Sequence, residues 1–337
     1  MKILLLGASG LLGHNVLKQL LQAGHEVHAL LRNPSSIHLP EEYLNNPRFS
    51  TAPFPDAFPN RGSNSSPKLG EVPEGGRSVS CFPSCEAIIN CIGCTDMSLL
   101  HYEDYLPANR DICTRLVGLM EEQGIRTLVH VSTANTIGDG NENSPMQEPF
   151  TRSWYALSKR EGEQILDEAA RRHPDWHVVT VHPGFMVGAY DVKPSSGALL
   201  LAAYRRRLMA APCGGKSFLH VQDAATAIIN ALTYGAHGGH YLLTGESLTL
   251  REFYALQAEV CGYRQHCFTL PSWLVLLAGR VGDLLRFLGI RTQLCTRNVR
   301  QLLVREHYDN TLARRDLGMP ATPIAQAIAD FFLWREK

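Results

Sequence analysis

The chain has 337 residues, with 32 lysines and arginines balanced by 32 aspartates and glutamates. That neutrality offers no electrostatic case for nucleic acid, and no apolar stretch approaches the roughly 18 residues a membrane span needs. The length suits one large domain or two unequal ones; nine cysteines at irregular spacings, without a signal peptide, point to reduced thiols in a cytoplasmic protein.

The apolar run Lys2–Leu6 reads as a strand and ends in Gly7-Ala8-Ser9-Gly10-Leu11-Leu12-Gly13. An amphipathic pattern follows through Leu12, Val16, Leu17, Leu20 and Leu21. Glycines at this spacing suit a dinucleotide-binding turn. The first allows a tight turn, the second lets the backbone approach a pyrophosphate, and the third lets helix and strand pack closely. The helix start then offers free N–H groups and its positive dipole end to phosphates. A glycine-rich turn also closes strands without any ligand, so the triad takes its meaning from its place between strand and helix.

Apolar runs then alternate with helix-period segments, the mark of a doubly wound α/β fold of Rossmann type. Strands are predicted at 2–6, 26–31, 48–52, 87–92, 127–132 and 177–182. Helices are predicted near 11–23, 104–124 and 152–172, ended by Gly24, Gly124 and Pro174, with Thr151 capping the third. Residues 53–83 are rich in proline, glycine and serine, show no helical period, and read as an irregular insertion. After residue 183, helical signals fall near 196–209, 222–234, 249–261, 271–289, 309–316 and 323–335, with a short strand at Tyr241–Leu243. The expected division is a dinucleotide domain of 1–182 plus about 218–245, and a smaller helical substrate lobe of about 183–217 plus 246–337. Within that lobe, Leu274, Leu277, Val281, Leu284, Leu285 and Leu288 form a stripe that either packs on the lobe, covers an apolar substrate, or touches a membrane surface.

Cys81/Cys85 and Cys91/Cys94 have zinc-like spacings, but Cys91 sits in a run, Ala87–Ile92, that reads as a buried strand, so no metal is expected. Tyr155 and Lys159 lie four apart on one helical face. A free phenol, with a pKa near 10, is a poor acid or base at neutral pH, and a nearby cation brings it closer to that work. The bland alternative is a solvated helix face. Ser132 and Thr133 lie at the C-terminal end of a predicted strand, where open α/β sheets bind ligands.

With these pieces in order the chain resembles the extended short-chain dehydrogenase/reductases. The match rests on Gly7–Gly13, Asn90-Cys91-Ile92-Gly93, Asn109, Val131–Ala134, Tyr155–Lys159, His182-Pro183-Gly184, Phe218–Asp223, Tyr308-Asp309-Asn310 and Leu317-Gly318. Gly184–Gly188 with Asp191–Pro194, and Leu243–Glu246 with Leu248–Leu250, are most similar to the dihydroflavonol-4-reductase-like branch. The resemblance implies that Tyr155 exchanges a proton with the substrate oxygen. Lys159 would lower the phenol's pKa and bind the nicotinamide ribose, and Thr133, or less readily Ser132, would hold the substrate oxygen. It further implies cofactor contacts at Gly7, Ser9, Gly10, Leu11, Leu12 and Gly13, at Cys91, Ile92, Gly93 and Asn109, and at Ser132, Pro183 and Gly184.

The second strand is followed by Arg32 and by no carboxylate before Glu41, so NADP(H) is favoured over NAD(H). The expected reaction interconverts a ketone and a secondary alcohol on a small, fairly apolar substrate. The alternatives are a sugar or nucleotide-sugar epimerase/dehydratase with retained NAD, and a non-catalytic dinucleotide sensor. The nucleotide-sugar reading is weakened by His182-Pro183-Gly184-Phe185-Met186, which lacks the asparagine that such epimerases usually carry after strand six. The helices at 104–124 and 152–172 are candidates for pairing across a homodimer, as in relatives.

Overall fold

The computed structural model describes residues 1–54 and 84–336. Most of the insertion expected at 53–83, and with it Cys81, lies outside the described residues. The first half alternates strands with helices: β1 (Lys2–Leu6), α1 (Leu11–Gln22), β2 (Glu26–Leu31), α2 (Glu41–Leu44), β3 (Phe49–Pro53), β4 (Ala87–Asn90), α3 (Ile112–Gln123), β5 (Thr127–Val131), α4 (Trp154–Arg172) and β6 (His177–Pro183). Next come β7 (Phe185–Val187), α5 (Gly197–Ala203), β8 (Leu208–Ala211), β9 (Gly215–His220), α6 (Val221–Ala231) and β10 (Gly239–Leu243). The last segments are β11 (Glu246–Thr249), α7 (Leu250–Val260), β12 (His266–Thr269), α8 (Ser272–Phe287), α9 (Thr296–Arg300), α10 (Thr311–Leu317) and α11 (Ile324–Arg335).

Seven strands form one parallel sheet in the order β10-β6-β5-β4-β1-β2-β3. Strand order reverses between β1 and β4, the switch point at which open α/β sheets bind ligands. Period-two alternation divides β1 between two cores. Ile3 and Leu5 pack with α1 and α6, while Leu4 and Leu6 pack with α3 and α4. Burial on both faces is why this strand reads as continuously apolar.

Several boundaries differ from expectation. The helix predicted from 104 begins as a π-helical turn, Pro107–Asp111, before α3. This turn and α4 come so close that a Cβ on Gly162 would strike the Asn109 carbonyl. The cap of α4 is Ser153, whose hydroxyl accepts from Ala156 N at 3.4 Å, in place of Thr151. The helix expected at 196–209 stops at Ala203, and the chain re-enters as β8, which pairs with β12. A three-stranded sheet, β11-β9-β7, joins the two halves. Ala313 and Leu317 of α10 pack into the core beside α1 and α6.

Candidate active site

The site lies at the C-terminal ends of β1, β4, β5 and β6. Gly7 takes φ +82°, and a Cβ there would come within 2.7 Å of the Cys91 carbonyl carbon. A Cβ on Gly13 would strike the Gly7 carbonyl, whereas Gly10 has nothing nearer than Gly7 O at 3.5 Å. Two glycines are thus required by neighbouring backbone, and the middle one leaves open space. Gly10 is also the N-cap of α1 and supplies no side-chain cap, so the helix's first N–H groups remain free for an anion. The turn fits a dinucleotide's pyrophosphate.

Arg32 stands exposed just after β2. Its loop is tied back to the glycine turn through His14, which the sequence reading missed. His14 is buried, its Nδ1 lies 2.9 Å from Gly10 O, and its Nε2 is 2.9 Å from His38 N. This fixes the tautomer with hydrogen on Nδ1, and burial holds the ring below the ordinary histidine pKa. The signal available in sequence was a histidine on the apolar face of α1.

Thr133 and Ser132 follow β5, and their hydroxyls go different ways. Ser132 Oγ donates to the buried carboxylate of Glu163, whose pKa burial raises. The Thr133 side chain approaches the Tyr155 phenol closely enough to favour its ionised form. Tyr155 is pushed up to about 12, chiefly by burial, and the Thr133 contact opposes the shift. Lys159 is buried, and burial lowers its pKa. Its Nζ donates to Val131 O at 2.8 Å and Ile92 O at 3.1 Å. A Cβ on Gly93 would meet Lys159 Nζ at 3.1 Å, so Gly93 makes room for this side chain.

Asn109 is wholly engaged in structure. Its Oδ1 accepts from Cys94 N at 2.7 Å, and its Nδ2 donates to Ser158 Oγ at 2.8 Å and Cys94 O at 3.2 Å. It locks the loop after β4 to α4. Cys91 and Ile92 line the Gly7 turn, and a Cβ on Gly184 would come within 2.5 Å of the Ser217 carbonyl oxygen. Pro183 ends β6 in register with Leu243.

A second buried polar chain runs behind Thr133. His182 Nδ1 lies 3.1 Å from Thr136 Oγ1, 3.3 Å from Thr133 O and 3.6 Å from Glu163 Oε1. Its Nε2 is 2.9 Å from His240 Nδ1, and His240 Nε2 is 3.0 Å from Asp167 Oδ1. Burial and the His240 charge bring His182 down to about 3. Burial also disfavours charge on His240, but the Asp167 hydrogen bond and charge outweigh it and raise the pKa. Neutral His182 donating to the Thr133 carbonyl therefore sits beside His240, whose charged form Asp167 favours. Among the described residues no group of three or more His, Cys, Asp or Glu side chains could hold a metal ion, and no helix is long and apolar enough to cross a membrane.

The sheet order, the glycine turn and the threonine–tyrosine–lysine grouping define a nicotinamide-dinucleotide enzyme. The chain matches the model of the NAD dependent epimerase/dehydratase family over residues 3–244 and belongs to that family. A Synechocystis protein described as a dihydroflavonol 4-reductase is 25% identical over 344 residues, covering 97% of this chain and 92% of the relative. A Stigmatella aurantiaca 4-hydroxy-2-methyl-3-oxo-4-farnesyl-3,4-dihydroquinoline-1-oxide ketoreductase is 25% identical, covering 84% of this chain and 80% of its own. Sterol demethylase protein B of Methylococcus capsulatus is 29% identical over 64% of this chain and 69% of its own. Among solved structures, that of gox2253 is similar with TM-score 0.75, at 20% identity over 99% of this chain and 97% of the other; at that identity the likeness concerns the fold.

Proposed function

We propose that this enzyme is an NADP(H)-dependent reductase interconverting a ketone and a secondary alcohol on a small, fairly apolar molecule. The observation that carries the reading is the approach of Thr133, just past the end of β5 on the ligand-binding edge of the sheet, to the Tyr155 phenol. The bound nicotinamide would supply or accept the hydride. The free N–H groups beyond Gly10 would hold the pyrophosphate, Lys159 the nicotinamide ribose, and Arg32 a 2′-phosphate.

The chain's own contribution is orientation and one proton. The Thr133 and Tyr155 hydroxyls hold the substrate oxygen between them, and the phenol donates its hydrogen as that oxygen gains charge. A phenol raised to about 12 is fully protonated at neutral pH, so it is competent as the donor for ketone reduction. Alcohol oxidation needs the opposite state and gains with rising pH. An apolar substrate is favoured by two relatives, one named for a sterol and the other for a farnesyl-bearing quinoline.

Tyr155→Phe tests the reading. Turnover should fall roughly 10³-fold with NADPH affinity unchanged, because only the proton-donating hydroxyl is lost. Substantial activity in that variant would refute Tyr155 as the donor. A substrate panel followed by NADPH absorbance separates a reductase from an epimerase, which shows no net cofactor consumption. In titrations of the wild type, tighter binding of NADH than NADPH would remove the role given to Arg32.

A further inference from the structure

The C-terminal lobe carries an apolar surface that this chemistry does not use. Helix α8 has two opposed faces. One packs inward through Val275, Gly279 and Gly282, with Gly279 so close to α9 that a Cβ would lie 2.5 Å from Val299 Cγ2. At 3.6 residues per turn, Trp273, Leu274, Leu277, Val281, Leu284 and Leu288 fall within one arc of about 100° on the opposite side. All six are exposed, between 38% and 67%, and Phe287 at the edge of that arc is 86% exposed. A helix of a globular protein turns its apolar stripe to the core. Here the broader stripe faces out, and surfaces of this kind mark interaction sites.

Charge decides between occupants. In residues 271–300 the exposed arginines are Arg280, Arg291 and Arg300, and the single carboxylate is Asp283. The two other arginines of that stretch turn inward. Arg286 donates to the carbonyls of Leu99 and Met97, and Arg297 stacks over Trp154 with 3.5 Å to the ring centre. A second copy docked through a two-fold axis would bring a surface with three exposed arginines and one carboxylate against its own like. An anionic bilayer complements it, with Trp273 suited to the headgroup boundary.

We propose that α8 is a membrane-surface helix that lies in the interface of an anionic lipid bilayer, its apolar arc inserted and Arg280, with Arg291 just past its end, at the headgroups. Its inner side is joined to the loop after β4 and to Trp154, next to Tyr155, so docking sets one wall of the site against the bilayer. That last consequence rests on the apolar-substrate reading above; docking itself does not.

Sedimentation with phosphatidylcholine vesicles, with and without phosphatidylserine, tests this at low and high salt. The full chain should bind the phosphatidylserine vesicles, bind phosphatidylcholine alone more weakly, and detach as salt screens the arginines. Leu277→Glu/Leu284→Glu should weaken binding at least about tenfold, since two leucines that enter the bilayer on docking become charges. Arg280→Glu/Arg291→Glu should abolish the preference for phosphatidylserine. Both variants should keep the wild-type melting temperature and NADPH affinity. The proposal is overturned if the wild type ignores anionic vesicles, or if the leucine variant binds as the wild type does. It is also overturned if light scattering shows a wild-type dimer that the leucine variant dissolves while no vesicle binding occurs. Sedimentation needs no turnover, so failure of the Tyr155→Phe test leaves this result standing, and the reverse holds too.

Discussion

Between residues 7 and 13 the chain reverses in a single turn, and backbone crowding sets its shape: Gly7 abuts Cys91, and Gly13 abuts the Gly7 carbonyl. Across the site, the loop after β4 is held by side chains from far along the chain. Arg286 reaches the carbonyls of Met97 and Leu99, Asn298 Nδ2 donates to Met97 O at 2.9 Å, and Arg297 covers Trp154. The dinucleotide side is thus built from missing side chains and the other side from long ones. The first kind of construction is set by close backbone contacts and tolerates no side chain at Gly7 or Gly13. The second is assembled only by the complete fold and can vary without disturbing the turn.

The sharpest way to break this contrast is a single methyl group on each of two glycines. Gly13→Ala places a Cβ against a carbonyl that cannot move without shifting β1, and should cost about 3 kcal/mol or prevent folding. Gly10→Ala meets nothing within 3.4 Å and should fold normally, yet weaken NADPH binding about tenfold, because the methyl enters the space left for the pyrophosphate. Urea unfolding and NADPH titration of the pair check this. Equal destabilisation by both would mean that the turn is not divided as described.

On the other side, Arg297→Ala removes a partly buried cation from the face of Trp154, worth about 2 kcal/mol when desolvated. The neighbour of Trp154 is Tyr155, so the expected result is a higher KM for the carbonyl substrate with NADPH affinity unchanged. Equal losses in both affinities would show that the two sides are mechanically one.

The same contrast explains what the sequence disclosed. The glycine triad was legible because the positive φ of Gly7 and the contact of Gly13 with the Gly7 carbonyl arise within one turn, and Tyr155 and Lys159 because helical spacing alone puts them on one face. The sheet was legible because burial on both faces leaves unbroken apolar runs. Ser153 was missed as the cap because Thr151 is an equally good residue type two positions earlier, and the choice depends on the turn Phe150–Arg152. The strands β7, β8, β11 and β12 have three or four residues each, too few for a period to declare itself. Lys159 was expected to lower the phenol's pKa and to bind the nicotinamide ribose. Sequence spacing fixed its face of the helix, but not the Val131 and Ile92 carbonyls that engage its ammonium.

His182 is the exception that sharpens the comparison, since it sits on β6 within the sheet yet works through its side chain. It holds the Thr133 carbonyl, and burial with the neighbouring His240 charge brings its pKa down to about 3. In the unfolded chain an ordinary histidine binds its proton near pH 6.5. Between those values the unfolded state carries the extra proton, so the stability due to neutral His182 is complete above about pH 6.5 and is lost on acidification, by up to about 1.4 kcal/mol per pH unit. His130, also held neutral by burial, adds to that slope, whereas the raised pKa values of Glu163 and His240 oppose it. His182→Gln removes the titrating ring and keeps a donor for the Thr133 carbonyl. Urea unfolding from pH 7 to pH 5 should therefore show a shallower acid loss in the variant than in the wild type. Identical slopes would mean that His182 already carries its proton in the folded protein, and that its bond to Thr133 is a charged one.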